Sequence, residues 1–395
     1  MRSQASYMFI SVIGILFIII LVGNSGQMRD LGSALLTRQV EGRALGIAGG
    51  NVHAPPKVAL LFLTRGPMPL EAIWRDFLES CPIPWETIFR IHVHRPKGKE
   101  YPKKSLFHGR ETDERVHVQW GNHSMVCMCF TMCILWLMTD LRILYVQIEA
   151  ERILFSNALK DPSVQTCVLL SEDSIPLYPA LLVYVQLCRE NTSRVNVCAN
   201  PDDPDDGNKR MNYRWVPEME QAGVTQSLWR KSSQWIALKR QHVQMVVDDT
   251  VVNDAFAREC YVAENRFCVS DEHYIPTLLA LKGAEDGCDC QSSSVQTIWT
   301  PGAMHPKVFG PNDATEDVIR DELREENNKE KDCGTLVTTF EADHQDVWHV
   351  LLEDDDGHAT MLQSCPLFAR KIDLGDSSST KGLQTWQSAL ESFIW

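Results

Sequence analysis

The first break in the mixed texture of the chain is an uncharged, almost wholly apolar run from Tyr7 to Val22, YMFISVIGILFIIILV, behind a short polar start containing Arg2. At roughly 16 residues it falls between a signal-peptide core of about 7 to 15 and a membrane span of about 17 to 25. Its Ile/Leu richness and the position of Arg2 predict a transmembrane signal anchor over 7–23 behind a cytoplasmic tail of 1–6. Gly23 and Ser25 offer a cleaved signal as the alternative. In both cases the rest of the chain faces the secretory lumen. Residues 24–56 are Gly-rich without a sustained apolar period and close on Pro55-Pro56, which reads as a stem. From Lys57 the texture changes to VALLFLT, a continuous apolar run expected of a strand buried on both faces. LEAIWRDFLESC follows, with Leu70, Ile73, Trp74, Phe77 and Leu78 at helical spacing, and then a second strand candidate, Ile88 to Val93. A third, CVLL at Cys167 to Leu170, ends in the polar loop Ser171-Glu172-Asp173-Ser174. Strand, helix, strand at these lengths predicts an α/β domain with a mainly parallel sheet.

Composition narrows the class. The 395 residues are 44% hydrophobic and 23% charged, ordinary for one large globular domain or two. A net charge of -14 argues against nucleic acid as a partner and against non-specific binding to anionic surfaces. The 13 Cys are odd in number, so they cannot all pair within the chain. A lumenal location permits disulfides and makes Asn122-His-Ser124 and Asn191-Thr-Ser193 glycosylation sites.

A lumenal α/β domain behind a stem and anchor suggests sugar transfer from a nucleotide donor. That reaction needs a base for the acceptor hydroxyl and a cation, from metal or protein, for the leaving diphosphate. Three acidic clusters compete for a metal. Glu172 and Asp173 are adjacent and diverge if extended. Asp202, Asp203, Asp205 and Asp206 lie in PDDPDDG, which reads as a solvated turn. Glu353 to Asp356 follow a strand-like run but sit too near the carboxyl end for a first nucleotide-binding half. Cys288-x-Cys290 lacks the second pair a zinc site requires, so no metal site is expected. In CVSDEHYIPTLL, Asp271 and Glu272 stand at the start of a helical run, where carboxylates suit the macrodipole and can also serve as base. Arg370 and Lys371 in CPLFARKID could hold a diphosphate or be solvated surface. Trp229, Trp235 and Trp299 could stack on sugar rings or belong to the core.

Taken in order, FLTRGPMPLEAIWRDF, IHVH, VQWGNHSMV, EAERILFSNAL, VLLSEDSIPL, WRKSSQW, CVSDEHY, a Trp followed by HPKVF, and LFARKI resemble the core-2/I-branching β-1,6-N-acetylglucosaminyltransferase family, especially its plant branch. The resemblance spans about Val58 to Ile372. It implies a type II Golgi membrane protein with a GT-A-like nucleotide-sugar transferase domain over 57–373, inverting and independent of metal, followed by a carboxyl-terminal tail at 374–395. Carried over by position, Glu272 would be the general base and Lys371 would neutralise the UDP diphosphate beside Arg370. Donor contacts would fall on Thr64, Arg65 and His94, and the acceptor glycan on Trp229, Arg230, Trp235 and Trp299. UDP-sugar would be the donor substrate, N-acetylglucosamine by the family name or glucuronic acid by its plant branch, with no further cofactor.

Two departures stand out. The stretch ADHQDVWHVLLEDDDGHATMLQ lacks the Arg that the family places before LFA-x-K. Between WGNHSMV and EAERILFSNAL, which run together in the family, Cys127 to Ile148 inserts an apolar stretch charged only at Asp140 and Arg142. A span there would divide the active site across the bilayer, and translation of an unspliced intron explains the segment better. These departures keep open an alternative, a catalytically impaired lumenal carbohydrate-binding or scaffold protein of the same fold. Setting aside Cys127, Cys129 and Cys133 leaves an even number of cysteines, with Cys260 and Cys268, and Cys333 and Cys365, as pairs suggested by nearness in sequence.

Overall fold

The computed structural model describes residues 55–96, 98, 100–116, 145–263, 266–303, 305–324, 365–375 and 380–394. The expected anchor, nearly all of the stem, Asn122, Cys333 and Glu353 to Asp356 lie outside the described residues. Pro55 and Pro82–Pro84 group with the amino-terminal unit, and the rest of the described chain, from Pro56, forms a second unit that is the subject below. No helix among the described residues is long and apolar enough to cross a membrane.

The main sheet has six strands in the order β2-β1-β3-β6-β5-β9. They are β1 (Lys57–Leu63), β2 (Phe89–His94), β3 (Val164–Ser171), β5 (Ser193–Arg194), β6 (Ala237–Lys239) and β9 (Cys288–Asp289). β1 runs parallel to β2 and to β3, with Leu60 opposite Ile91 on one side and Val168 on the other. Val58 to Leu63 are fully buried, which is why this strand reads as an unbroken apolar run instead of an alternation. β6 joins β3 antiparallel, so the sheet is mixed. A smaller sheet orders β10 (Val295–Thr297), β11 (Phe368–Arg370) and β4 (Ile175–Pro176), and a two-stranded hairpin joins β7 (Val262–Ala263) to β8 (Arg266–Phe267).

Helix α1 (Glu71–Glu79) buries Ile73, Trp74, Phe77 and Leu78, the stripe its spacing predicts. Trp74 meets Phe62 of β1 edge-on at 4.8 Å and stacks on Phe368 of β11 at 5.8 Å, and its Nε1 donates to Ser174 O at 3.0 Å. One side chain thus joins both sheets to the loop after β3. Helix α2 (Tyr145–Leu159) packs on β1, β2 and β3. It takes in the last four residues of the expected insertion, so Tyr145 to Ile148 continue EAERILFSNAL as one helix; residues 127–144 lie outside the described residues. Helices α3 (Ala180–Arg189), α4 (Arg240–Asp248), α5 (Val251–Glu259) and α6 (Ser270–Leu281) complete the layers, with α6 seated on α2, α4 and α5.

The carboxyl-terminal segment is a packed element and not a tail. Helix α7 (Thr380–Phe393) buries Trp386 and Leu390 completely and packs on α1, where Gln387 Nε2 donates to Asp76 Oδ2 at 2.7 Å. Gly382 lies so near Leu374 O that a Cβ there would collide with the carbonyl. The apolar spacing of Leu383, Trp386 and Leu390 carries this helix, and its Ser-rich approach obscures it in the sequence.

Cys260 and Cys268 form the expected disulfide, and Cys198 and Cys290 form one not foreseen. Cys365 is disulfide-bonded, whereas its expected partner Cys333 lies outside the described residues. Replacing Trp386 by Ala should lower unfolding stability by about 3 to 5 kcal/mol, the usual cost of emptying a buried Trp site. Urea denaturation of the two proteins checks this, and an unchanged midpoint would return 380–394 to the status of a tail.

Candidate active site

β1, β2 and β3 are parallel, so their carboxyl ends share one edge of the sheet. The chain passes from β1 to β2 on one side and returns to β3 on the other, which makes the β1/β3 junction a switch point, the usual place for a ligand crevice. Arg65 follows β1 and pairs with Glu172, which follows β3, at 2.5 Å. Arg370, at the end of β11, directs its Nε to Asp173 Oδ1 at 3.1 Å and lies over the Trp235 ring at 4.5 Å. The two neighbouring acids therefore diverge, each to its own arginine, and burial raises Glu172 above the ordinary carboxyl range despite Arg65. Burial also pushes Asp173 upward, but Arg370, Ser171 and Lys371 together outweigh it and hold the carboxyl low. Lys371 is half-buried, and its side chain has no hydrogen bond or ion pair among the described residues; its backbone O accepts from Phe309 N at 2.9 Å. No group of three or more His, Cys, Asp or Glu side chains is placed to hold a metal ion among the described residues.

Two expected donor residues are built into the strand ends. Thr64 is fully buried, and its Oγ1 donates to His94 O at 3.2 Å, tying β1 to β2. The His94 ring is buried too, and its Nε2 accepts from Val116 N at 3.0 Å, which leaves the proton on Nδ1, an atom without a partner. Burial and then Arg115 lower its pKa to about 4, so this imidazole is neutral and offers an N–H donor, not a cation.

The second cluster gathers at the start of α6, where Asp271 and Glu272 occupy the first turn as expected. Arg214 Nη1 donates to Glu272 Oε2 at 2.8 Å, and Lys231 Nζ stands 3.6 Å from Oε1. The same Arg214 nitrogen is 3.3 Å from His273 Nε2, while His273 Nδ1 is 2.6 Å from Arg230 O. His273 is therefore a neutral ring, donating from Nδ1, with its pKa lowered to about 3 chiefly by burial. Ser232 N donates to Glu272 O at 2.9 Å, so the WRKSSQW segment is seated on the helix start. The segment also joins the two clusters. Lys231 and Ser232 touch Glu272, whereas Trp235 lies beneath Arg370. Lys231 and Trp235 are four positions apart, at most about 14 Å of chain.

Several expected acceptor contacts are corrected. Trp229 is fully buried, stacked on Phe256 at 5.5 Å and His273 at 4.4 Å, so its ring faces are spent in the core. Arg230 is buried as well, bonding Val197 O and Ser227 O and pairing with Glu285 at 2.6 Å. Trp235 is 4% exposed under Arg370, and Trp299 at 55% is the one of the three tryptophans open to a ligand. Asn191 is exposed, as a glycan requires; Ser193 of its sequon is buried against His242 Nδ1 at 2.7 Å. PDDPDDG is only partly solvated, since Asp206 is buried and pairs with Arg210. The sequence reading missed Arg214 and Lys231. Nothing in NYRW distinguishes Arg214, 58 positions from Glu272, although Lys231 stood within a motif already singled out.

Parallel strand ends edged by cations, joined through WRKSSQW to a carboxylate on a helix start, set the charged groups that sugar transfer needs on an α/β scaffold. Residues 145–321 match the family model described as Core-2/I-Branching enzyme, beginning where α2 begins. Over that segment the chain is similar to the Core-2/I-Branching enzyme family, the one its ordered motifs resemble. Glycosyltransferase BC10 of Oryza sativa subsp. japonica is 27% identical over 296 residues, covering 67% of this chain; the chain spans 65% of that relative's length. The class expected from the sequence, glycosyltransferase, is that of the matched family and of the rice relative. A solved structure of an active-site mutant of LgtC aligns with 85% of this chain and 96% of its own at 8% identity and a TM-score of 0.33, too distant to carry an argument.

Because His94 titrates near 4 in the folded protein and near 6.5 unfolded, the unfolded state binds the extra proton between those values. Stability from the neutral ring is complete above about pH 6.5 and falls as pH drops toward 4, by up to about 1.4 kcal/mol per unit. Relative to His94→Gln, the natural protein should therefore lose urea resistance steadily between pH 6.5 and 4. Parallel stability curves for the two would contradict the buried neutral ring.

Proposed function

We propose that the protein is an inverting, metal-independent glycosyltransferase of the Golgi membrane, anchored as a single-pass type II protein with its GT-A-like domain lumenal. It moves N-acetylglucosamine or glucuronic acid from a UDP-sugar to a glycan hydroxyl. The observation that carries this reading is the environment of Glu272. Arg214 occupies Oε2 at 2.8 Å and fixes the carboxylate, while Oε1, among the described residues, meets only the longer Lys231 contact and the group keeps access to solvent. Oε1 is then the oxygen that takes the acceptor's proton as the freed oxygen attacks the anomeric carbon and the bond to UDP breaks.

The leaving diphosphate meets Lys371, a cation with no ion pair among the described residues, while Arg370 and Arg65 keep Asp173 and Glu172 from repelling it. His94 contributes a neutral N–H donor at the same strand edge. Trp299 supplies an exposed ring on which an acceptor sugar can stack. The missing Arg before LFARKI leaves Lys371 with a larger share of the charge.

UDP release by the lumenal part of the chain, measured with several UDP-sugars and glycan acceptors in EDTA, tests the reading. Glu272→Gln should lower turnover by about 10²-fold or more, and Lys371→Met should weaken donor use without unfolding the protein. Activity surviving Glu272→Gln would remove that residue as base, and an absolute metal requirement would remove the role of Lys371.

A further inference from the structure

The proposed reaction brings a glycan hydroxyl to Glu272, and an aromatic ring with no role in the core stands close to that carboxylate. Tyr213, in the NYRW segment, is 70% exposed, the most open of the large apolar side chains among the described residues. An isolated apolar side chain in water is ordinary and asks for no explanation. What sets Tyr213 apart is how it is held and what lies beneath it. Its ring meets the guanidinium of the next residue, Arg214, with Cζ 5.9 Å from the ring centre.

Tyr213 is the middle residue of a short 3₁₀ turn, Asn212–Arg214. Met211 enters the turn with φ at 54°, a left-handed conformation that residues other than Gly rarely adopt. Its N donates to Asn208 O and its O accepts from Arg214 N, both at 2.9 Å. Ahead of the turn, Arg210 donates from Nε to Asp206 Oδ2 at 2.6 Å and from Nη1 to Trp229 O at 2.9 Å. Behind it, Trp215 Nε1 donates to Val224 O at 2.9 Å. The turn is thus pinned on both sides, with Arg214 directed inward, where it is 9% exposed, and Tyr213 outward. Arg214 then links the ring to the base, since its Nη1 lies 2.8 Å from Glu272 Oε2. Allowing about 1.3 Å for the resonance-shortened bond between Cζ and Nη1, the Tyr213 ring centre lies no more than about 10 Å from that oxygen.

The geometry points to Tyr213 as an acceptor-binding residue: the C–H face of a pyranose ring stacks on it while a hydroxyl of the same glycan reaches Glu272 Oε1. A short glycan bridges the distance between them. Tyr suits the task because it presents a large, stiff apolar face and gives up little conformational freedom when covered. Arg214 touches both the ring and the carboxylate, so the platform and the base keep their spacing. The inference rests on Glu272 as the base, but binding of a glycan can be read with no donor present and without any turnover.

Calorimetric titration of the full chain in detergent with β-1,6-galactotriose, β-1,3-galactotriose and chitotriose, without donor, tests this. The natural protein should bind at least one of these probes. Tyr213→Ala should weaken that binding by about 10-fold, within what one stacked ring contributes, whereas Tyr213→Phe should stay within about 3-fold of natural. In turnover, Tyr213→Ala should raise the acceptor KM by the same factor and leave kcat and the donor KM little changed. Because the ring is exposed, removing it should leave the urea midpoint where it is. An Ala variant that binds as the natural protein does overturns the proposal, as do a Phe variant as weak as the Ala variant, a natural protein that binds none of the three glycans, and a loss of binding that follows a loss of stability. Binding that falls in Tyr213→Ala while the natural protein turns over no UDP-sugar would leave the platform standing and overturn the transfer reading instead.

Discussion

The parallel pairing of β1 with a strand on each side is the constraint on which the rest depends. A strand flanked on both edges and covered on both faces favours apolar side chains, and β1 is wholly apolar from Val58 to Leu63, so chemistry is displaced to its ends. Three parallel strands end on the same side, and every charged group after them must share that edge. Arg65, Glu172, Asp173 and Arg370 settle there as two crossed ion pairs. Without the return of the chain from β2 to β3 across β1, those four groups would belong to separate surfaces.

Charge is balanced locally at these strand ends although the protein as a whole is strongly acidic. The buried acids are matched singly by arginines, at a desolvation cost that an unmatched carboxylate could not bear. What remains is a small local excess of cation around Lys371 and, at the other cluster, a carboxylate held between Arg214 and Lys231. Net charge therefore says little about this strand edge.

The parts legible in the sequence are those in which local pattern and tertiary role coincide. The unbroken run at Val58 to Leu63, the helical stripe through Trp74, and the acids opening α6 are each written within a dozen residues. The ordered motifs also carry the resemblance to the family whose model matches 145–321. Trp229, Arg230 and Trp235 were misjudged because a motif marks residues that matter without saying whether they touch a ligand or brace those that do; here burial and stacking made them braces. Arg214 was invisible because its partner is distant in sequence and its own neighbourhood has no period. Helix α7 was overlooked because its stripe is short and lies behind a Ser-rich approach that resembles a frayed end.

The Cys198–Cys290 bond has a further meaning in terms of covalent topology. It closes a ring of chain with a sequence separation of 92, and inside that ring lie Arg214, Lys231, Gln234, Asp271 and Glu272, whereas Thr64, Arg65, His94, Asp173 and Lys371 all lie outside it. Glu272 and the residues that hold it are therefore tethered as one cyclic piece, and a single cut of the backbone within the ring would leave its two ends joined through sulfur. Such a bond persists only under oxidising conditions, so the covalent closure of this ring answers to the redox state of its surroundings.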